Sequence, residues 1–267
     1  MPTPDELTIV HAADLHLGGR RWLRRAPSER ALAEQLRIAD LRSLSSLVDL
    51  CLAERASLLL LAGDIFDGWC RDHRVGLVLA AELARLREVG ALALLVLGNH
   101  DLRSPVTRPL LLPESAAVLG AEAPETRLLS ALGVAVHGWS HPRVSPGEDV
   151  VARFPAPLPG WLNVGLLHTS AEGRAGHADY APCSRRSLRA HGYDYWALGH
   201  VHQREVVSVD PHVVFPGNLQ GRGSREPGPR GATVVRIRSG RVRAVEARAV
   251  DAVRFETVQV DVRSAGH

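Results

Sequence analysis

Lysine is missing from all 267 residues, so each of the 32 basic side chains is an arginine. Arginine enrichment is therefore a trait of the whole chain, and taken alone it does not argue for a polyanionic partner. Cysteine is scarce, with Cys51, Cys70 and Cys183 at spacings that form no C-x-x-C pair. That excludes a disulfide framework and a thiolate zinc site and fits a reducing cytoplasm. No apolar run reaches 18 residues, and the N-terminus carries Asp5 and Glu6 where a leader would have a basic region and an apolar stretch, so neither membrane insertion nor secretion is expected. Internal repeats and low-complexity tracts are absent as well. A composition 45% hydrophobic and 23% charged, with net charge +3, is that of a globular chain. Its length suits one large domain or two small ones.

Short apolar runs alternate with helical patterns through the first hundred residues, the pattern of β-α-β units. Leu7 to Ala13, Leu58 to Ala62 and Leu92 to Leu97 read as buried strands. Helices are expected over 29–54, with Ser28 as N-cap, and over 72–89. Beyond residue 103 prolines break the chain into loops, and apolar runs return at Val134–Val136, Val164–Leu167 and Tyr195–Leu198. The last 60 or so residues read as all-β, with a hairpin turn at Ser239-Gly240 and a final alternating strand through Val258, Val260 and Val262.

Ligand-type residues fall at the carboxyl ends of those strands. Asp14 and His16 follow the first, Gly63-Asp64 the second, and Gly98-Asn99-His100-Asp101 the third; His168 follows the Val164 run and Gly199-His200-Val201-His202 the Tyr195 run. In α/β sheets the loops leaving that edge converge on one crevice. A lone D-x-H or a lone His is more often a solvated strand end than a ligand, but five segments in order form a pattern that chance seldom produces. Carboxylates, imidazoles and one amide oxygen without a thiolate suit Mn²⁺, Fe²⁺ or Zn²⁺. Seven ligands exceed the needs of one ion. Two ions bridged by a shared carboxylate would use them all and clamp the oxygens of an in-line displacement at phosphorus.

The order D-x-H, G-D, G-N-H-D, H, G-H-x-H resembles the calcineurin-like metallophosphoesterase superfamily over residues 7 to about 235. The strings Ala13-Asp14-Leu15-His16-Leu17-Gly18 and Gly63-Asp64-Ile65-Phe66-Asp67 resemble its DNA repair exonuclease branch, the SbcD-type and YhaO-type nuclease subunits. So does Phe215 to Arg222 with Glu226 and Gly231. The resemblance implies an α/β fold, a four-layer α/β/β/α sandwich with mixed sheets. It implies one ion on Asp14, His16, Asp64 and His202, and a second on Asp64, Asn99, His168 and His200, with Asp64 bridging. His100 would face the phosphate and protonate the leaving oxygen while Asp101 orients its ring. The attacking group would be a hydroxide that the ions, most suitably Mn²⁺, make available near neutral pH.

The phosphatase pattern G-D-x-x-D-R-G and G-N-H-E is not followed, because Gly68 and Trp69 come after Asp67 and Asp101 replaces the Glu. That argues against a Ser/Thr phosphatase. The expectation is a metal-dependent DNA exonuclease or endonuclease in DNA repair. The alternatives are a small-molecule or cyclic-nucleotide phosphodiesterase and a catalytically silent binding module. Arg20 and Arg21, with Arg24 and Arg25, and Arg222 and Arg225, with Arg230, are candidate contacts to phosphates flanking the scissile bond. The resemblance further suggests an SMC-like coiled-coil ATPase subunit and a homodimer as partners. Residues 1–250 are expected to form the catalytic domain and 251–267 the start of a capping region that is truncated or absent.

Overall fold

A computed structural model describes residues 5–19, 35–36, 38–140, 148–171 and 180–260. Its frame is a pair of six-stranded mixed sheets. In the first, β1 (Glu6–Ala12), β2 (Leu58–Ala62), β3 (Leu92–Val96) and β4 (Ala116–Val118) run parallel, and β11 (Gly231–Arg238) and β12 (Arg241–Ala249) extend the sheet antiparallel beyond β1. The second has the order β5 (Glu125–Leu129), β6 (Val134–Trp139), β7 (Leu162–His168), β8 (Tyr195–Gly199), β10 (His212–Phe215), β9 (Glu205–Val209).

The continuous apolar runs of β2 and β3 follow from burial on both faces. Side chains alternate along a strand, so Val10, Leu59, Leu61 and Leu95 point outward to α1 (Ala39–Ala53) and α2 (Arg74–Arg85). Their neighbours Ile9, Leu58, Leu60 and Val96 point inward and meet Val136, Val164 and Leu166 of the second sheet. The outer face of that sheet, with Trp196, Leu198 and Phe215, is covered by a 3₁₀ turn at Val150–Arg153 and by α3 (Arg185–Ala190), which Ser184 and Ser187 start with a reciprocal capping box. The layers are thus helix, sheet, sheet, helix, as expected. Truncating a fully buried residue between the sheets, such as Leu60, removes contacts on two layers and belongs with core deletions that cost about 2–5 kcal/mol.

The strand positions agree closely with the sequence reading, and β2 spans the very residues expected. Ser239 (φ 51°) and Gly240 (φ 68°) form the hairpin turn, both in the left-handed region that a two-residue loop requires. The part of the 29–54 helix that can be compared begins at Ala39, while Ser28 lies outside the described residues. Strands β4 and β5 went unread because both lie on sheet edges, half exposed and flanked by Pro113 and Pro124, so neither shows an apolar run. The final strand does not form over the residues described there. Val258 and Val260 are exposed and outside any ladder, because alternation supplies no partner edge; Val262 is outside the described residues. Among the described residues no helix is long and apolar enough to cross a membrane.

Candidate metal centre

Parallel pairing sends the ends of β1, β2, β3, β7 and β8 to one edge of the two sheets. Beyond that edge the chain after β1 runs beside the chain after β2, with the Asp14 N–H donating to Gly63 O (3.0 Å) and the His16 N–H to Asp64 O (2.9 Å). Asp14 (φ 53°), His16 (φ 47°), Asp64 (φ 50°) and His200 (φ 105°) all sit at positive φ. A side chain held there costs about 1–3 kcal/mol. Four such residues within the ligand motifs mean that position, not backbone comfort, is what the fold maintains.

Each aspartate commits one oxygen to a backbone donor and turns the other toward imidazoles. Asp14 Oδ2 accepts the His200 N–H (2.9 Å) and Asp64 Oδ1 accepts the His100 N–H (2.8 Å). Asp14 Oδ1 is buried without a hydrogen-bond partner and lies 4.0 Å from the Nε2 atoms of both His16 and His202. Asp64 Oδ2 is 3.8 Å from His16 Nε2 and 3.5 Å from His168 Nε2, between a ring of each expected set.

The second ring nitrogens set the tautomers. His168 Nδ1–H donates to Ala62 O (2.9 Å), which turns Nε2 toward Asn99 Oδ1 (3.3 Å) and His200 Nδ1 (3.3 Å). His202 Nδ1–H donates to Glu226 Oε1 (2.7 Å), so its Nε2 faces His16 Nε2 at 3.1 Å. Carboxylate oxygens and ring nitrogens therefore crowd one another in a largely buried pocket, an arrangement that a bound cation or a proton relieves. Asp14, His16 and His202 form one set of ligand atoms within 4.8 Å of one another, and Asp14, Asp64 and His168 form a second. The seven residues expected from sequence meet here, and their donor chemistry fits divalent ions.

The protonation equilibria express the same crowding. Burial raises the Asp14 carboxyl to about 6 against the opposing pull of His168 and His202. Burial would also raise Asp64, but His168 beside it holds it well below the usual carboxylate range. Burial opposes a charge on His168, yet Asp64 and Asp14 outweigh it and the ring holds its proton more tightly than usual.

His100 stands at the rim, half-buried, its ring edge-on to His16 with centroids 4.7 Å apart. Its Nδ1 accepts the Gly68 N–H (3.3 Å), which puts the ring proton on Nε2. Asp101 does not play the orienting part expected of it. Its carboxylate accepts three backbone N–H groups instead, from Ile65 (3.1 Å), Phe66 (2.8 Å) and Gly98 (2.8 Å), and so ties the loop after β2 to the loop after β3. Burial lifts its pKa to about 7 against those three donors.

Among the basic candidates, Arg222 reaches the centre and its guanidinium pairs with Asp67. Arg225 is exposed and, among the described residues, has no hydrogen bond or ion pair to the cluster, while Arg20 and Arg21 lie outside the described residues. The resemblance implies no role for Asp67 or Glu226. Asp67 forms a third group of ligand-type atoms with His16 and His100, a placement that its spacing three residues after Asp64 could have suggested. Glu226 gathers His202, Asn218 Nδ2 (2.7 Å) and the Arg222 N–H (2.6 Å) on one carboxylate, for which the sequence offered no signal beyond proximity to the loop.

Two sheets between helices, with buried aspartates and histidines converging at the strand ends, define a metallophosphoesterase. The chain belongs to the calcineurin-like phosphoesterase family, whose model matches residues 7–204. It is 33% identical over 265 residues to the uncharacterized metallophosphoesterase YhaO of Bacillus subtilis (strain 168), covering 97% of this chain and 64% of that one. It is 27% identical over 216 residues to the DNA double-strand break repair protein Mre11 of Saccharolobus solfataricus, covering 78% of this chain and 52% of the relative. The chain thus spans somewhat under two thirds of YhaO and about half of Mre11. Among solved structures, TT1561 of Thermus thermophilus shares the fold with a TM-score of 0.52 at 16% identity, covering 91% of this chain and 99% of that one.

Proposed function

We propose that the chain is a two-metal phosphodiesterase acting on DNA, as an exonuclease or endonuclease in DNA repair. The observation that carries the two-ion reading is the single oxygen Asp64 Oδ2 facing both His16 and His168. The DNA reading is supported by similarity to a relative whose name states DNA double-strand break repair. The departure from the phosphatase pattern after Asp67 favours a diester over a phosphoprotein substrate.

Asp14, His16, Asp64 and His202 would hold one ion, and Asp64, Asn99, His168 and His200 the other. When bound, two such ions, Mn²⁺ being the best match, supply Lewis-acid charge to the phosphoryl oxygens and acidify water. The chain's own residues do the rest. Backbone donors from His200 and His100 keep Asp14 and Asp64 aimed inward. Glu226 fixes the His202 tautomer, and Ala62 O that of His168. His100 presents its Nε2–H at the rim, where it donates to the oxygen that leaves phosphorus.

The test is Mn²⁺-dependent hydrolysis of linear double-stranded and single-stranded DNA beside a small chromogenic phosphodiester, with Asp64→Ala as blank. DNA cleavage that disappears in the blank supports the nuclease. Cleavage of the small ester alone moves the function to a nucleotide phosphodiesterase, and hydrolysis of neither by metal-loaded protein favours a binding module.

A further inference from the structure

The phosphatase pattern has an arginine immediately after its second aspartate, and this chain has Gly68 there. The fold brings a different arginine to that aspartate. Asp67 is 2% exposed; its Oδ1 accepts the Trp69 N–H (3.0 Å) and its Oδ2 accepts Arg222 Nη2, across 155 residues of sequence. Asp67 lies within the group it forms with His16 and His100, so the guanidinium is drawn to the side of the centre where His100 stands.

Arg222 is held at its other end too. Its backbone N–H donates to Glu226 Oε2 (2.6 Å), and the companion oxygen of the same carboxylate takes the His202 Nδ1–H (2.7 Å). Arg230 secures the base of the loop, donating to His202 O (2.5 Å) and to Asn218 Oδ1 (3.2 Å). One clasp therefore sets both a metal-ligand histidine and the arginine beside it. A long side chain anchored at both ends loses little further freedom when an anion arrives, and a guanidinium fork matches two phosphoryl oxygens.

We infer that Arg222 is the protein's own contact to the non-bridging oxygens of the phosphoryl group under attack, and that Asp67 is the positioning residue that aims it. The inference rests on the family's phosphoester chemistry and holds for DNA and small esters alike. A purely structural Asp67–Arg222 ion pair would leave phosphate affinity untouched, which makes the two roles separable.

The experiment uses the full chain as wild type, Arg222→Ala, Arg222→Lys and Asp67→Asn. It reads bound Mn²⁺ per chain, KM and kcat for a small chromogenic phosphodiester, and binding of inorganic phosphate by calorimetry to the Mn²⁺-loaded protein. The expected result for Arg222→Ala is wild-type metal content with phosphate affinity weakened about tenfold or more and KM raised in parallel. Lysine, which keeps the charge without the fork and the fold without a cavity, should restore only part of the loss. Asp67→Asn, with its metal content unchanged, should weaken phosphate affinity and raise KM in the same direction as Arg222→Ala but by less, and wild-type affinity and KM in this variant would remove the aiming role. Unchanged phosphate affinity in both Arg222 variants overturns the inference. So does a loss of metal that accounts for the loss of activity, since Arg222 would then serve the ion site. Wild-type protein that cleaves the small ester and not DNA would sink the nuclease proposal while leaving this one standing.

Discussion

Asp14 Oδ2 accepts the backbone N–H of His200 at 2.9 Å, joining the loop that leaves β1 in one sheet to the loop that leaves β8 in the other. Because the same carboxylate turns its second oxygen toward His16 and His202, the contact that closes the sandwich also orders the candidate metal centre. Fold and site are therefore expected to respond together when this edge is disturbed.

Gly199 exposes that coupling. A Cβ there would lie 1.8 Å from Ala62 O and 2.9 Å from His168 Nδ1, so only glycine lets β8 approach β2 and the His168 ring. Gly199→Ala should lower the Tm and the metal content together, read by calorimetric melting and elemental analysis. A variant that melts like wild type and keeps its ions would contradict the stated approach.

His100 and Asp101 should separate cleanly, although they are neighbours. His100→Ala is expected to keep its ions and its Tm while losing most turnover, because the ring donates at the rim. Asp101→Asn leaves one oxygen to serve three backbone N–H groups and should destabilise the fold by about 1–3 kcal/mol, read as a shift of the urea midpoint. Equal loss of turnover and stability in both variants would refute the division of roles.

Metal binding should depend on pH in a definite direction. In the metal-free chain burial disfavours a charge on His168, but Asp64 outweighs it and raises the ring's pKa to about 9. An ion at that set needs the lone pair, so its binding near neutral pH displaces a proton. Apparent affinity should therefore rise as the pH increases from about 6 to 9, by up to about tenfold per pH unit for one displaced proton. Calorimetry in buffers of different ionisation enthalpy measures the proton directly, and an enthalpy independent of buffer would be evidence against the account.

What the sequence disclosed and what it hid have physical reasons. Strands buried on both faces, such as Leu58 to Ala62, are legible because no polar residue interrupts them. The seven ligand candidates could be picked out because each lies at or just beyond the end of a largely apolar strand, His168 being the last residue of β7. The contacts of the supporting groups were not legible, although Arg222 is itself among the sequence candidates. Glu226 acts on His202 across 24 residues and Arg222 on Asp67 across 155, and no local spacing reports a contact made by a returning loop. Asp101 misled for a related reason: adjacency to His100 suggested a partner for its ring, whereas the turn between them points the carboxylate at backbone donors.

Asp64 is proposed to be shared by two ion sites. The direct test is the number of Mn²⁺ ions bound per chain, by titration calorimetry with elemental analysis, in wild type and in Asp64→Ala. Two ions are expected in the wild type, at most one weakly held ion in the variant, and no hydrolysis of any phosphodiester by the variant. Two ions retained with wild-type affinity in Asp64→Ala, or a single ion in a fully active wild type, would contradict that sharing.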